Sequence, residues 1–140
     1  MVMEIAIVNY LAILISAVVS FVIGGLWYGP IFGKMWIALM GFTQKDIDKA
    51  KQKGMSKSYL ITFVASLIMA FVLAHFIIYT GASNFFEGFQ VGFWVWLGFV
   101  ATTQLGTVLW ENKSWNLFIL NIAYWLVNLL VMGAILAVWQ

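Results

Sequence analysis

Four polar side chains recur at helical spacing inside an otherwise apolar stretch: Thr103, Gln104, Thr107 and Glu111 fall on one face of a helix. In the next apolar stretch Asn121, Tyr124 and Asn128 form a second stripe by the same spacing. Hydroxyls, amides, a phenol and one carboxylate can stand in for the hydration of a small solute or ion. Two such stripes facing each other make a candidate polar path, with Glu111 and Lys34 at its mouth. The competing reading is interhelical glue, because an amide turned to lipid costs free energy that an interhelical hydrogen bond, worth about 0.6 to 2 kcal/mol, largely avoids. The single histidine, His75, is a candidate proton or ligand group by its place in an apolar run. It lies about 25 Å along its helix from Ser58, which also puts it near an interface where water or the Tyr79 hydroxyl can satisfy it.

Other chemistry is excluded by what the chain lacks. Without cysteine there are no disulfides, thiolate metal sites or thiol redox reactions. One histidine gives too few donors for a metal site within one chain, although His75 repeated around an oligomer axis supplies more. Glycine-rich phosphate loops, paired mid-membrane carboxylates and a Ser-His-Asp set are missing. The expectation is a protein that is not an enzyme, with no cofactor and no metal.

The elements that position these residues follow from composition. Hydrophobic residues make up 64% of the chain and charged ones 9%, against about a quarter charged in soluble domains. Mean hydropathy is +1.01. A length of 140 residues accommodates four or at most five helices of about 20 residues each. The fold class expected is all-α: a polytopic membrane protein, a four-transmembrane-helix bundle with a short cytoplasmic interfacial helix, in one membrane domain over 1–140. Spans are expected at about 5–28, 59–80, 91–110 and 115–139, with a cytoplasmic loop over 30–58. The first begins with an acid, Glu4, and lacks a basic leader region, so it reads as a retained helix.

The stretch GGLWYGPIFGKMW, residues 24–36, is where the first span meets water. Its Pro30 makes an arriving helix kink or stop, and Trp27, Tyr28, Lys34 and Trp36 are the aromatic and basic mixture of a head-group boundary. These residues form a candidate elbow. Before it, Ser16, Ser20 and Gly24 recur at i+4, a small-residue stripe that lets another backbone approach; Ser66, Ala70 and Ala74 do the same in the second span. After it, Phe32 to Phe42 is too short to cross and is expected in the interface. Thr43 with Asp46 resembles a capping box, and Gly54 is placed to end the helix QKDIDKAKQK. Residues 81–90 read as a turn before the third span.

Six of the seven lysines lie between the first two spans and the seventh, Lys113, between the last two, while the other side carries Glu4 and Glu87. The positive-inside rule then makes both lysine-bearing connections cytoplasmic and both termini external, in the cell inner (plasma) membrane. The bilayer itself is the expected partner, with anionic lipid at the lysine-rich loop. Nucleic acid is not, because the lysines alternate with acids and lack interleaved aromatics. The two small-residue stripes, one seam more than a single hairpin contact needs, suggest a homo-oligomer, dimer or trimer.

Taken together, Trp27-Tyr28-Gly29-Pro30, Phe32-Gly33-Lys34, Trp36, GFWVWLGFV, Leu109-Trp110-Glu111, Asn121-x-x-Tyr124 and Met132-Gly133-Ala134 resemble the bacterial membrane family DUF1761 over nearly the whole chain. The resemblance implies a helical integral membrane protein of about four spans. It brings no established activity and no catalytic residues. Two classes of function stay open: a small oligomeric carrier or channel subunit for a small solute or ion, or a structural or lipid- or partner-binding membrane protein without transport.

Overall fold

A computed structural model describes residues 7–140. The expected start of the first span at residue 5, and Glu4 in the charge argument, lie outside the described residues. Among the described residues all regular structure is helical. Four helical stretches are long and apolar enough to cross a membrane: Tyr10–Ile31, Ser56–Thr80, Phe85–Leu109 and Trp115–Val138.

The first span is α1 (Tyr10–Leu26) followed by a π-helical turn, Trp27–Ile31. Asn9 caps α1, its side-chain oxygen accepting from the Leu11 and Ala12 amides at 3.1 and 3.2 Å. At the far end Pro30 has no N–H to give and its ring collides with an α-helical turn. The chain answers by widening: Phe32 N–H donates to the Trp27 carbonyl, five residues back, at 2.9 Å. The helix then breaks at Phe32 and restarts as α2 (Gly33–Met40). A side chain at Gly33 would meet the Tyr28 carbonyl 2.8 Å from its first carbon, so this tight return needs glycine.

The polar loop folds into α3 (Gln44–Lys53) with the full capping box. Thr43 N–H donates to the Asp46 carboxylate at 2.9 Å and Asp46 N–H to the Thr43 hydroxyl at 3.2 Å. These bonds hold the exposed Asp46 carboxyl below the usual aspartate range. The second span, α4 (Ser56–Thr80), ends at Gly81. The third begins earlier than expected, at Phe85 rather than near residue 91, because Asn84 accepts from Glu87 N–H at 2.9 Å and starts a helix inside the supposed turn. It runs as α5 (Phe85–Val95), a second π-helical turn (Trp96–Ala101) and α6 (Thr102–Leu109). Asn112, in the left-handed region at φ 58°, turns the chain toward Ser114, which caps α7 (Trp115–Val138).

The helix α7 is the mast of the bundle. It packs against α1, α4, α5 and α6, and carries more buried residues than any other described helix. Its seam with α5 is the closest. A side chain at Gly88 would run into the Gly133 carbonyl, one at Gly92 into the Leu129 carbonyl, and one at Gly133 into the Gly88 carbonyl. This pairing is antiparallel and rests on Gly88-x-x-x-Gly92, a spacing that lets two helix backbones touch. The α1–α4 pair closes the other side, where Ala12, Ala70 and Ala74 are buried with Leu73 and Ile77. Both small-residue stripes are thereby used inside one chain: Gly24 lies against Tyr124 of α7, and Ala70 and Ala74 sit in the core. They are not spare surfaces for a second copy.

Replacing Gly92 by Val is therefore expected to cost at least about 3 kcal/mol, since the obstructing atoms are backbone and cannot move aside. Gly98→Ala, where nothing lies within 4 Å of the added carbon, is expected to be neutral or to stabilise by up to about 1 kcal/mol. Unfolding in detergent titrated with a denaturing surfactant reads both.

Candidate functional site

The polar residues of α7 look toward the first span, not the third. Asn121 accepts at its side-chain oxygen from the Tyr28 phenol, 2.7 Å away. Tyr124, buried, stands against Gly24, whose missing side chain makes room: a first carbon there would lie 3.0 Å from the phenol oxygen. Ser20 is within hydrogen-bonding reach of the same phenol. Asn128 and Ser16 are fully buried further along this seam. Around Tyr124 the rings of Tyr28, Trp27 and Trp125 close at centroid separations of 5.2, 6.2 and 4.9 Å, and Trp36 stacks edge-on to Tyr28 at 5.6 Å. The elbow residues Trp27, Tyr28 and Trp36 thus form, with Tyr124, one aromatic box with a polar lining at one end of the α1–α7 seam, while Pro30 is exposed beside it. Lys34, at the start of α2, is exposed.

The third span's stripe is not brought to this box. Its α6 residues were expected to face Asn121, Tyr124 and Asn128, but the π turn at Trp96–Ala101 intervenes. One extra residue in a helical turn rotates everything beyond it by about 100°. Thr103 is exposed, Gln104 and Thr107 are half-buried, and Glu111 is exposed in the turn that follows α6. The hydroxyls turn back on their own helix: Thr103 donates to the Phe99 carbonyl at 2.8 Å and Thr107 to the Gln104 carbonyl at 2.8 Å. His75 behaves similarly. Its Nδ1 lies 2.8 Å from the Phe71 carbonyl of the preceding turn, and its ring packs on Phe71 at 4.6 Å.

Two tryptophans grip α7 alike, although only Trp27 stands out in the sequence. Trp27 and Trp96 each open a π turn, in Trp-Tyr-Gly and Trp-Leu-Gly respectively. Trp27 Nε1 donates to the Leu120 carbonyl at 3.2 Å and Trp96 Nε1 to the Ile122 carbonyl at 2.7 Å. Acceptors two residues apart on α7 are about 200° apart around its axis, so the indoles grip it from two sides. The repeated Trp-x-Gly is legible in the sequence. That it marks a widened turn is not, because only Trp27 is followed by a proline.

Chemically the seam offers phenol, amide and hydroxyl groups, all neutral and suited to hydrogen bonding rather than to acid–base work. Among the described residues no group of three His, Asp or Glu side chains converges on a metal position. At the opposite end of the bundle, between Asn9, Ala74 and Trp139, a crevice of about 20 Å³ has room for one water molecule.

Fold and site together define a small all-helical bundle with four helices long and apolar enough to cross a membrane, the last of them held by the first and third. The chain matches the family described as "Protein of unknown function (DUF1761)" over residues 11–137, and belongs to it. No curated protein and no solved structure matches it.

In a double-mutant cycle on unfolding, Tyr28→Phe and Asn121→Leu should couple by about 0.6 to 2 kcal/mol. Tyr28→Phe with Thr103→Ala should add within about 0.5 kcal/mol, because the two residues share no partner.

Proposed function

We propose that the protein is a subunit of a small homo-oligomeric carrier or channel for a small solute or ion, in the cell inner membrane. The observation that supports this reading is the outward polar face of the third span. Thr102 and Thr103 are exposed beyond the π turn, on a span in whose most apolar window only 6% is buried. Polar groups left against hydrocarbon cost free energy, and a second copy presenting the same face relieves that cost. Closed symmetry, as a dimer or trimer around the third spans, then surrounds a path lined by Thr103, Gln104 and Thr107 with Glu111 at its mouth. The lysine-bearing connections face the cytoplasm and both termini face outward, as the positive-inside rule directs. On the cytoplasmic surface α3 rests with its lysines toward anionic lipid. Under this reading the chain performs no catalysis and binds no nucleic acid.

A second reading is favoured by the threonine hydroxyls themselves. Each is already satisfied by a carbonyl of its own helix, which suits a structural or lipid- or partner-binding protein without transport.

The chain's lack of cysteine makes the test direct. Thr103→Cys is expected to form a disulfide-linked dimer in oxidised membranes, whereas Leu60→Cys, on the exposed face of α4, is not. The reconstituted protein should then pass protons or monovalent cations into dye-loaded vesicles, with Glu111→Gln lowering the flux several-fold. Cross-linking at position 103 without flux selects the structural reading. No cross-link at 103 in membranes removes the shared path.

A further inference from the structure

Asn128 sits fully buried near the middle of α7, and neither its amide nitrogen nor its amide oxygen has a hydrogen-bond partner. Ser16 Oγ, also fully buried, is in the same position. The contacts of Gly24 with Tyr124, Trp27 with Leu120 and Asn9 with Trp139 fix α1 and α7 as antiparallel neighbours. That register sets Ser20 level with Asn128 and Ser16 one turn further along the same stripe. We infer that this stretch of the seam holds ordered water, bound by the Asn128 amide and shared with Ser16.

The donor set selects water over other small ligands. A serine hydroxyl can turn back to its own helix, but the asparagine amide carries two N–H donors and a carbonyl acceptor, and leaving all of them unmet inside a bundle is among the costliest arrangements a side chain can adopt. A cation is met by the oxygens and repelled by the N–H groups, and no carboxylate lies on the α1 or α7 segments that line the seam. Water donates and accepts, so it satisfies both amide ends and the serine together. The buried α1 positions at this level, Ser16, Ala17 and Ser20, all carry small side chains. Toward the elbow the same seam carries further polar groups, Ser20 with Tyr124 and then the Tyr28–Asn121 bond. The site lies within one chain and is independent of the oligomeric reading above.

X-ray hydroxyl-radical footprinting of the protein in lipid nanodiscs, run in ¹⁸O-labelled water, tests the site. Met132 is fully buried one turn from Asn128 and is an efficient radical acceptor. It is expected to gain ¹⁸O within several-fold of the rate at exposed Met55, and Asn128→Leu should abolish that gain while leaving Met55 unchanged. Should Asn128→Leu not assemble, Ser16→Val is expected to give the same protection. A Met132 that stays unlabelled in the wild-type protein, or labelling that survives in the assembled variant, overturns the inference.

Discussion

An indole N–H inside a membrane protein must find an acceptor that water does not supply, and in this chain two of them find it on one helix. Trp27 and Trp96 reach the Leu120 and Ile122 carbonyls of α7 from two sides. Both reach because each stands at the first position of a π-helical turn, where the helix is wide enough to redirect the ring. The rest of the architecture depends on that grip. With α7 held at this level, the glycines at 88, 92 and 133 bring α5 to backbone contact at one end. The Tyr28–Asn121 bond closes the aromatic box at the other. The first and third spans, which carry the two interruptions, are joined through the fourth.

What the sequence discloses and what it hides follow from the same physics. Hydropathy separates lipid from water, so four spans, their order and the elbow at Pro30 are legible without coordinates. Local backbone chemistry is legible as well: Thr43 and Asp46 form the box their spacing announces, and Gly54 ends that helix at φ 83°. Asn84 with Glu87 three residues later carried a start signal of the same kind for the third span, obscured by the small polar residues that precede it. Which helix faces which is not legible from apolarity. A span is apolar on every side, so the periodicity that marks the buried face of a soluble helix is lost. Of the stripe read from spacing, Thr103, Gln104 and Thr107 lie on α6, while Glu111 stands in the turn beyond its end at Leu109. A π turn just upstream sets which side of α6 is exposed, and no local pattern at the stripe records it.

The two polar surfaces that result are of different kinds. Along the α1–α7 seam, phenol, amide and serine groups are buried and run from the elbow toward the centre of the bundle. On the third span, the Thr102 and Thr103 hydroxyls lie toward the outside and turn back on their own backbone. A chain whose small-residue stripes are spent on its own packing has this outer face left for other copies or for lipid. Function is sought there, while the inner seam sets how well the first and fourth spans stay together.

Two indoles hold α7. Rotational-echo measurements between indole ¹⁵Nε and backbone ¹³C carbonyls in lipid bilayers read it directly, with isoleucine carbonyls labelled for Trp96 and leucine carbonyls for Trp27. An N···O separation of 2.7 Å at Ile122 and a carbonyl bond of about 1.2 Å place nitrogen and carbon within about 4 Å. Strong dephasing of one indole signal by labelled isoleucine is predicted, lost in Trp96→Phe, together with a weaker counterpart from labelled leucine, lost in Trp27→Phe. Indole signals that show no dephasing in either labelling scheme would contradict the account.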